Sequence, residues 1–193
     1  MFLLLHFQPF GIIFSQMKKL IEISLLFFLC IILCACPYSS AYYLDETPGM
    51  NIDEALLGKW IALVKKPNSN REEAVYCTLE KKNDTEYNIS FSGNLDELRP
   101  YKYITSDSLA GTAFMSLVDN RQFLNIRINA RVYIAELNFK DDKLSLLPLA
   151  ECFTAKMILN SETLRKSVEV HYKTRVHPTL DDEFCLRDMV RVH

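Results

Sequence analysis

From residue 59 to residue 149 the chain repeats one local pattern: short apolar stretches, many alternating with polar neighbours, cut by polar turns about every ten residues. Alternation with a period of two places successive side chains on opposite faces, so each stretch reads as a β-strand. Lys59 to Val64 is the first. Val75, Cys77 and Leu79 mark the second, and Tyr87, Ile89 and Phe91 the third. Tyr101, Tyr103 and Thr105 suggest a fourth, Thr112 to Val118 a fifth, and Leu124, Ile126 and Ile128 a sixth. Val132 to Phe139 is the seventh and Leu144 to Leu149 the eighth. Pro67 to Asn70, Lys81 to Thr85, Asp119 to Arg121 and Lys140 to Lys143 are the turns. Many short strands at this spacing predict an antiparallel barrel or sandwich.

The period changes near residue 160. Ser161 is placed to cap a helix, with Glu162 in its first turn. Leu164, Val168 and Tyr172 follow at helical spacing, and Pro178 stops it. Phe184 to Val192 then reads as a last strand. Ahead of the strands, Ile52 to Gly58 forms a short helical turn capped by Asp53 and ended by Gly58.

Composition removes several classes of function. Hydrophobic residues are 49% and charged residues 24%, as in ordinary globular domains. The net charge is -2, which gives no electrostatic footprint for nucleic acid. Five glycines leave no phosphate-cradling loop. No Cys-x-x-Cys, His-Glu-x-x-His or Gly-x-Ser-x-Gly occurs. His171 and His177 are not on one helical face, and Asp181-Asp182-Glu183 lacks the spacing of a calcium loop. The expectation is no cofactor, no metal and no enzymatic activity.

The amino terminus differs from the rest. Met17-Lys18-Lys19 opens a basic region, and the apolar run Leu20 to Ala35 is broken only by Glu22 and Ser24. A basic start, a short apolar core and a small residue before the cut describe an export signal. The run is shorter than the ~20 residues that cross a bilayer. Its end, Leu33-Cys34-Ala35-Cys36, resembles the bacterial lipobox, with Cys34 where Ala or Ser is commoner. That resemblance implies a lipoprotein in which Cys36 carries a diacylglyceryl group and becomes the new amino terminus. Palmitate would label it. Residues 1–16 do not fit a signal and read as a gene-start artefact. The organisation is therefore 1–16 artefact, 17–35 signal peptide, 36–51 lipidated cysteine and tether, and 52–193 barrel domain. Loss of residues 1–35 leaves a net charge of -3. Pro37 after the cysteine, with no acidic run behind it, implies the outer membrane and its periplasmic face by the same resemblance.

Cys77, Cys152 and Cys185 remain after export, so at most one disulfide forms within the chain. Small buried thiols and a Cys152–Cys185 bridge across the helix are both open.

The order of strands, helix and closing strand is similar to the lipocalin plan. In that family a helical turn leads into a first strand bearing Gly-x-Trp, here Gly58-Lys59-Trp60. The chain resembles the lipocalin-like lipoproteins of Bacteroidota over residues 52–193, by strand order and by that one motif. The family's Thr-Asp-Tyr motif is missing, and Arg191 is the candidate for its base arginine. The resemblance implies a mainly β fold: an eight-stranded antiparallel barrel, a C-terminal helix outside it and a closing strand. An eight-stranded barrel is either filled by side chains or holds one small ligand. The lining candidates are Trp60, Ala62, Val64, Phe114, Leu124, Ile126, Tyr133 and Leu137. Two roles follow: holding a small apolar ligand, or, with a filled barrel, serving an envelope protein partner as inhibitor or assembly subunit.

Overall fold

A computed structural model describes residues 38–65, 72–93, 95, 108–150, 153–154, 157–174 and 185–192. The lipobox with Cys36, the residues before it, Cys152, His177 and Asp181 to Glu183 lie outside the described residues. Nine strands are described: β1 Ser39–Ser40, β2 Gly58–Lys65, β3 Glu72–Lys81, β4 Tyr87–Gly93, β5 Ser108–Val118, β6 Arg121–Ile128, β7 Arg131–Lys140, β8 Lys143–Pro148 and β9 Leu186–Val192. One helix, α1, spans Ser161–Lys173, and a 3-10 turn spans Glu54–Leu56.

Strands β2 to β8 pair with their neighbours in chain order, all antiparallel. Strand β9 lies between β8 and β2 and closes the barrel at eight strands. The expected closed antiparallel barrel with one helix before its last strand is therefore present. Its membership differs in one place. Residues 101–105, read as a strand, lie outside the described residues, and β4 pairs directly with β5, from Tyr87↔Ala113 to Ser92↔Ser108. The eighth barrel strand is the one after the helix.

The hairpins at one end are tight. Asp119-Asn120 and Asp141-Asp142 are two-residue loops in which both residues have positive φ. Asp and Asn tolerate that conformation, and such turns match the twist of paired strands. Gly111 is required for another reason: a Cβ there would lie 2.0 Å from the Arg127 carbonyl oxygen. Asn160 caps α1, not Ser161. Its Oδ1 accepts from the Thr163 amide at 2.8 Å, and Ser161 is the first helical residue, buried against the barrel.

Two clusters make the core. One fills the barrel, from Trp60 through Cys77, Tyr87 and Leu124 to Met189. The other lies outside β5, β6 and β7, where Val118, Phe123, Val132 and Ile134 meet Leu164 and Val168 of α1. Strands covered on both faces lose their polar alternation, hence four consecutive buried residues from Phe123 to Ile126.

Residues 38–50, read from the sequence as part of the tether, are packed on the domain. Ser39 and Ser40 pair with Tyr133 and Val132 of β7. The Tyr38 amide donates to the Leu149 carbonyl at 2.6 Å, and Leu44 is 1% exposed. Asp45 pairs with Arg165 of α1. The outer face of β7 is apolar, and this segment covers it where β8 has ended. Among the described residues no helix is long and apolar enough to cross a membrane.

Candidate functional site

The barrel interior and the end sealed by the 3-10 turn form the candidate site. Asp53 caps the turn, with its Oδ1 accepting from the Ala55 amide at 2.9 Å. Gly58 then reverses the chain into β2 at φ 131°, a value that L side chains rarely adopt. The turn of direction drops Trp60 into the barrel, where it is fully buried. Its Nε1 donates to the Leu56 carbonyl at 2.9 Å. Phe139 meets the ring edge-on at 5.9 Å between centroids.

Arg191 of β9 completes this end. Its guanidinium carbon lies 4.7 Å from the Trp60 ring centroid, and Nη1 donates to the Leu57 carbonyl at 2.7 Å. Nη2 donates to the Ala55 carbonyl. The cation thus stacks on the ring and satisfies carbonyls of the turn that no helix continues to use. The register Trp60↔Arg191 between β2 and β9 puts both on one face. The Tyr87 hydroxyl accepts from the Asp53 amide at 2.6 Å and donates to Met115 Sδ at 3.7 Å. Burial pushes the Tyr87 hydroxyl above its ordinary pKa. Replacing Arg191 by alanine removes two charge-assisted bonds and the stacked cation, so we expect a loss of about 2 kcal/mol. Urea unfolding measures it, and Arg191→Lys recovers only part because a lysine cannot make the paired fork.

Of the eight lining residues read from the sequence, Trp60, Ala62, Leu124, Ile126 and Leu137 belong to the interior cluster, and Val64 and Tyr133 pack against it. Phe114 does not. It faces outward, with its ring 5.0 Å from Tyr43, while Ala113 and Met115 of β5 point inward. Phe114 pairs with Asn125, and residues directly opposite share a face. Residues 113 to 116 are all buried, so hydrophobicity alone does not reveal which of them point in.

Toward the sealed end the interior is packed with its own side chains. Trp60, Tyr87, Leu79, Ile89, Leu124 and Leu144 are each below 2% exposed. Cys77 sits among them, and burial pushes its thiol pKa up to about 12. A thiol held neutral at that level packs as a small hydrophobe and is a poor nucleophile. Away from the sealed end, Val64, Leu109, Ile128 and Tyr133 are half-buried, and Leu95 is fully buried in the interior cluster.

No family model, curated protein or solved structure matches this chain.

Two polar clusters on the outer face escaped the sequence reading. Asn125 accepts from the Leu44 amide at 2.8 Å and donates to Ser116 Oγ at 2.7 Å. Glu136 accepts from Arg121 at 2.7 Å and from the Tyr172 hydroxyl at 2.8 Å. Burial first, then the bond to Glu136, pushes the Tyr172 hydroxyl far above its ordinary pKa. These groups pin the amino-terminal segment and α1 to the barrel. The signal was present: Asn125 and Glu136 are polar residues inside otherwise apolar strands, which implies a polar partner on that face. His171 packs beside Phe153 and Tyr172. Among the described residues no three His, Cys, Asp or Glu side chains gather into a metal-holding group.

Proposed function

We propose that this chain is a lipid-anchored lipoprotein of the cell envelope, with a lipocalin-like barrel that acts by binding a protein partner. The close packing of side chains toward the sealed end supports a partner over a ligand. An eight-stranded barrel of this size has room for one small guest only if its side chains leave space, and here Trp60, Tyr87 and Leu124 occupy it. The anchor rests on the basic start, apolar run and lipobox-like ending from Met17 to Cys36. The role is that of an inhibitor or an assembly subunit at the outer membrane, facing the periplasm, and not an enzyme. One lipid chain binds membranes marginally and two or more hold stably, so a diacylglyceryl cysteine suffices as anchor.

A second reading keeps a small apolar ligand. The half-buried Val64, Leu109, Ile128 and Tyr133 favour it, because they present apolar surface with one hydroxyl away from the sealed end. Native extraction separates the two. We expect protein purified from its own membranes to release no stoichiometric apolar compound and to crosslink to one envelope protein. Labelled palmitate should enter the wild type and not Cys36→Ala. A stoichiometric extract would replace the partner reading by the ligand reading, and label retained in Cys36→Ala would remove the anchor.

A further inference from the structure

A lipid anchor on a long loose tether leaves a domain free to tumble above the bilayer. The docked segment removes that freedom. Tyr38 is held by its amide bond to Leu149 and by its ring, 4.6 Å from Phe153. It is two positions along the chain from Cys36, a reach of at most about 7 Å. The bilayer therefore starts within one or two side-chain lengths of Tyr38, and the surface beside Tyr38 must meet it.

That surface carries exposed apolar side chains. An open groove of about 280 Å³ runs along Tyr38 to Tyr42 and is closed on its other side by Thr154 and Ile158. Ile158 is half-buried against the outer core, and its neighbours Met157 and Leu159 are turned outward, 80% and 59% exposed. Tyr42 on the opposite lip is 37% exposed. Three large exposed hydrophobic side chains thus flank one groove, beside the point where the chain leaves toward the anchor. Next to them Arg131 donates to Ser39 Oγ at 2.9 Å and is exposed.

We propose that Tyr42, Met157 and Leu159 are the face on which the anchored domain lies against the lipid surface. Flexible Met and Leu side chains enter the boundary between headgroups and acyl chains, tyrosine sits at headgroup level, and Arg131 meets lipid phosphates. The anchor then fixes orientation as well as distance. It turns the outer face of β2 and β3, around the barrel from the docked segment, away from the membrane and toward a partner. The inference deepens the lipoprotein reading and depends on attachment at Cys36.

The test uses full-length lipidated protein in vesicles of phosphatidylethanolamine and phosphatidylglycerol containing brominated lipid. Single tryptophans are introduced by Met157→Trp, Leu159→Trp and, as the control on β2, Leu63→Trp, which replaces a side chain 65% exposed. The native Trp60 is fully buried and supplies a constant background. We expect the emission added at 157 and 159 to be quenched at least about twofold more than that at 63, because only the first two lie at acyl depth. Equal quenching at 63 and 157 in vesicle-bound protein overturns the orientation and leaves the anchor standing. A blue-shifted emission at 157 that bromine does not quench means that protein, a second copy included, covers the patch, and overturns it too. Protein that fails to join the vesicles at all defeats the anchor and the orientation together.

Discussion

Trp60→Ala lowers the unfolding free energy by about 4 kcal/mol, the range found for removing a fully buried large aromatic side chain. The reason is its position. Trp60 is fully buried, bonded to the Leu56 carbonyl, met edge-on by Phe139 and covered by Arg191. Truncation leaves a cavity between the first and last barrel strands, and the rigid seal around it cannot collapse to fill the gap. It also strips Arg191 of its stacking partner, so the turn from Glu54 to Leu56 loosens with the core. Urea unfolding followed by far-UV circular dichroism measures the loss, because the sole native tryptophan is gone. Trp60→Phe should recover about half, since it refills volume without the indole N–H. A midpoint for Trp60→Ala within error of the wild type would mean that this end of the barrel is not the packed structure described.

Alkaline pH is expected to unfold the domain at moderate temperature. Cys77, Tyr87 and Tyr172 all ionise with more difficulty in the folded chain than in the unfolded one. Desolvation is the first cause for each. A group whose folded pKa is raised contributes stability that is complete below its unfolded pKa and is lost as pH rises above it. The Cys77 thiol, at about 12 when folded, begins to cost stability near pH 9 and does so at about 1.4 kcal/mol per pH unit. By pH 11 that single group removes about 3 kcal/mol, and the two tyrosines add to the slope above pH 10. Domains of this kind hold about 5–15 kcal/mol in total, so the loss is a large share. Urea midpoints in the presence of reductant at pH 8, 9, 10 and 11 trace it. Cys77→Ala should lower the baseline through its cavity yet delay the onset of the fall to about pH 10, where the buried tyrosines begin to titrate. A midpoint constant from pH 8 to pH 11 would show that these groups are hydrated in the folded state.

The same residues explain what could be read without coordinates. Cys77 and Tyr87 were placed in strands by alternation with Tyr76, Thr78 and Asn88, and β3 and β4 do bury every second residue over those stretches. Gly58-Lys59-Trp60 marked the first strand, and Trp60 is at the sealed end. Phe114 was misplaced because its neighbours are buried on both faces, which erases the alternation that would have told inside from outside. The segment from Pro37 to Met50 reads as a tether because it has two prolines, many hydroxyls and no period. The order of residues 38–50 comes from pairing with β7 and from Asn125, which lies 81 residues beyond the Leu44 that it binds.

By itself the amino-acid sequence determined the strand rhythm, the polar turns, the late helix and the export-like start. All are local properties, carried by side-chain alternation, turn chemistry and charge within a few residues. Tertiary structure alone decided that β9 closes onto β2, that Arg191 covers Trp60, that side chains pack the barrel closely toward the sealed end and that the amino-terminal segment lies on the barrel. Those outcomes depend on contacts between residues as many as 136 positions apart. A period of two states that a strand has two faces, and only the partner that covers each face determines which one is the inside.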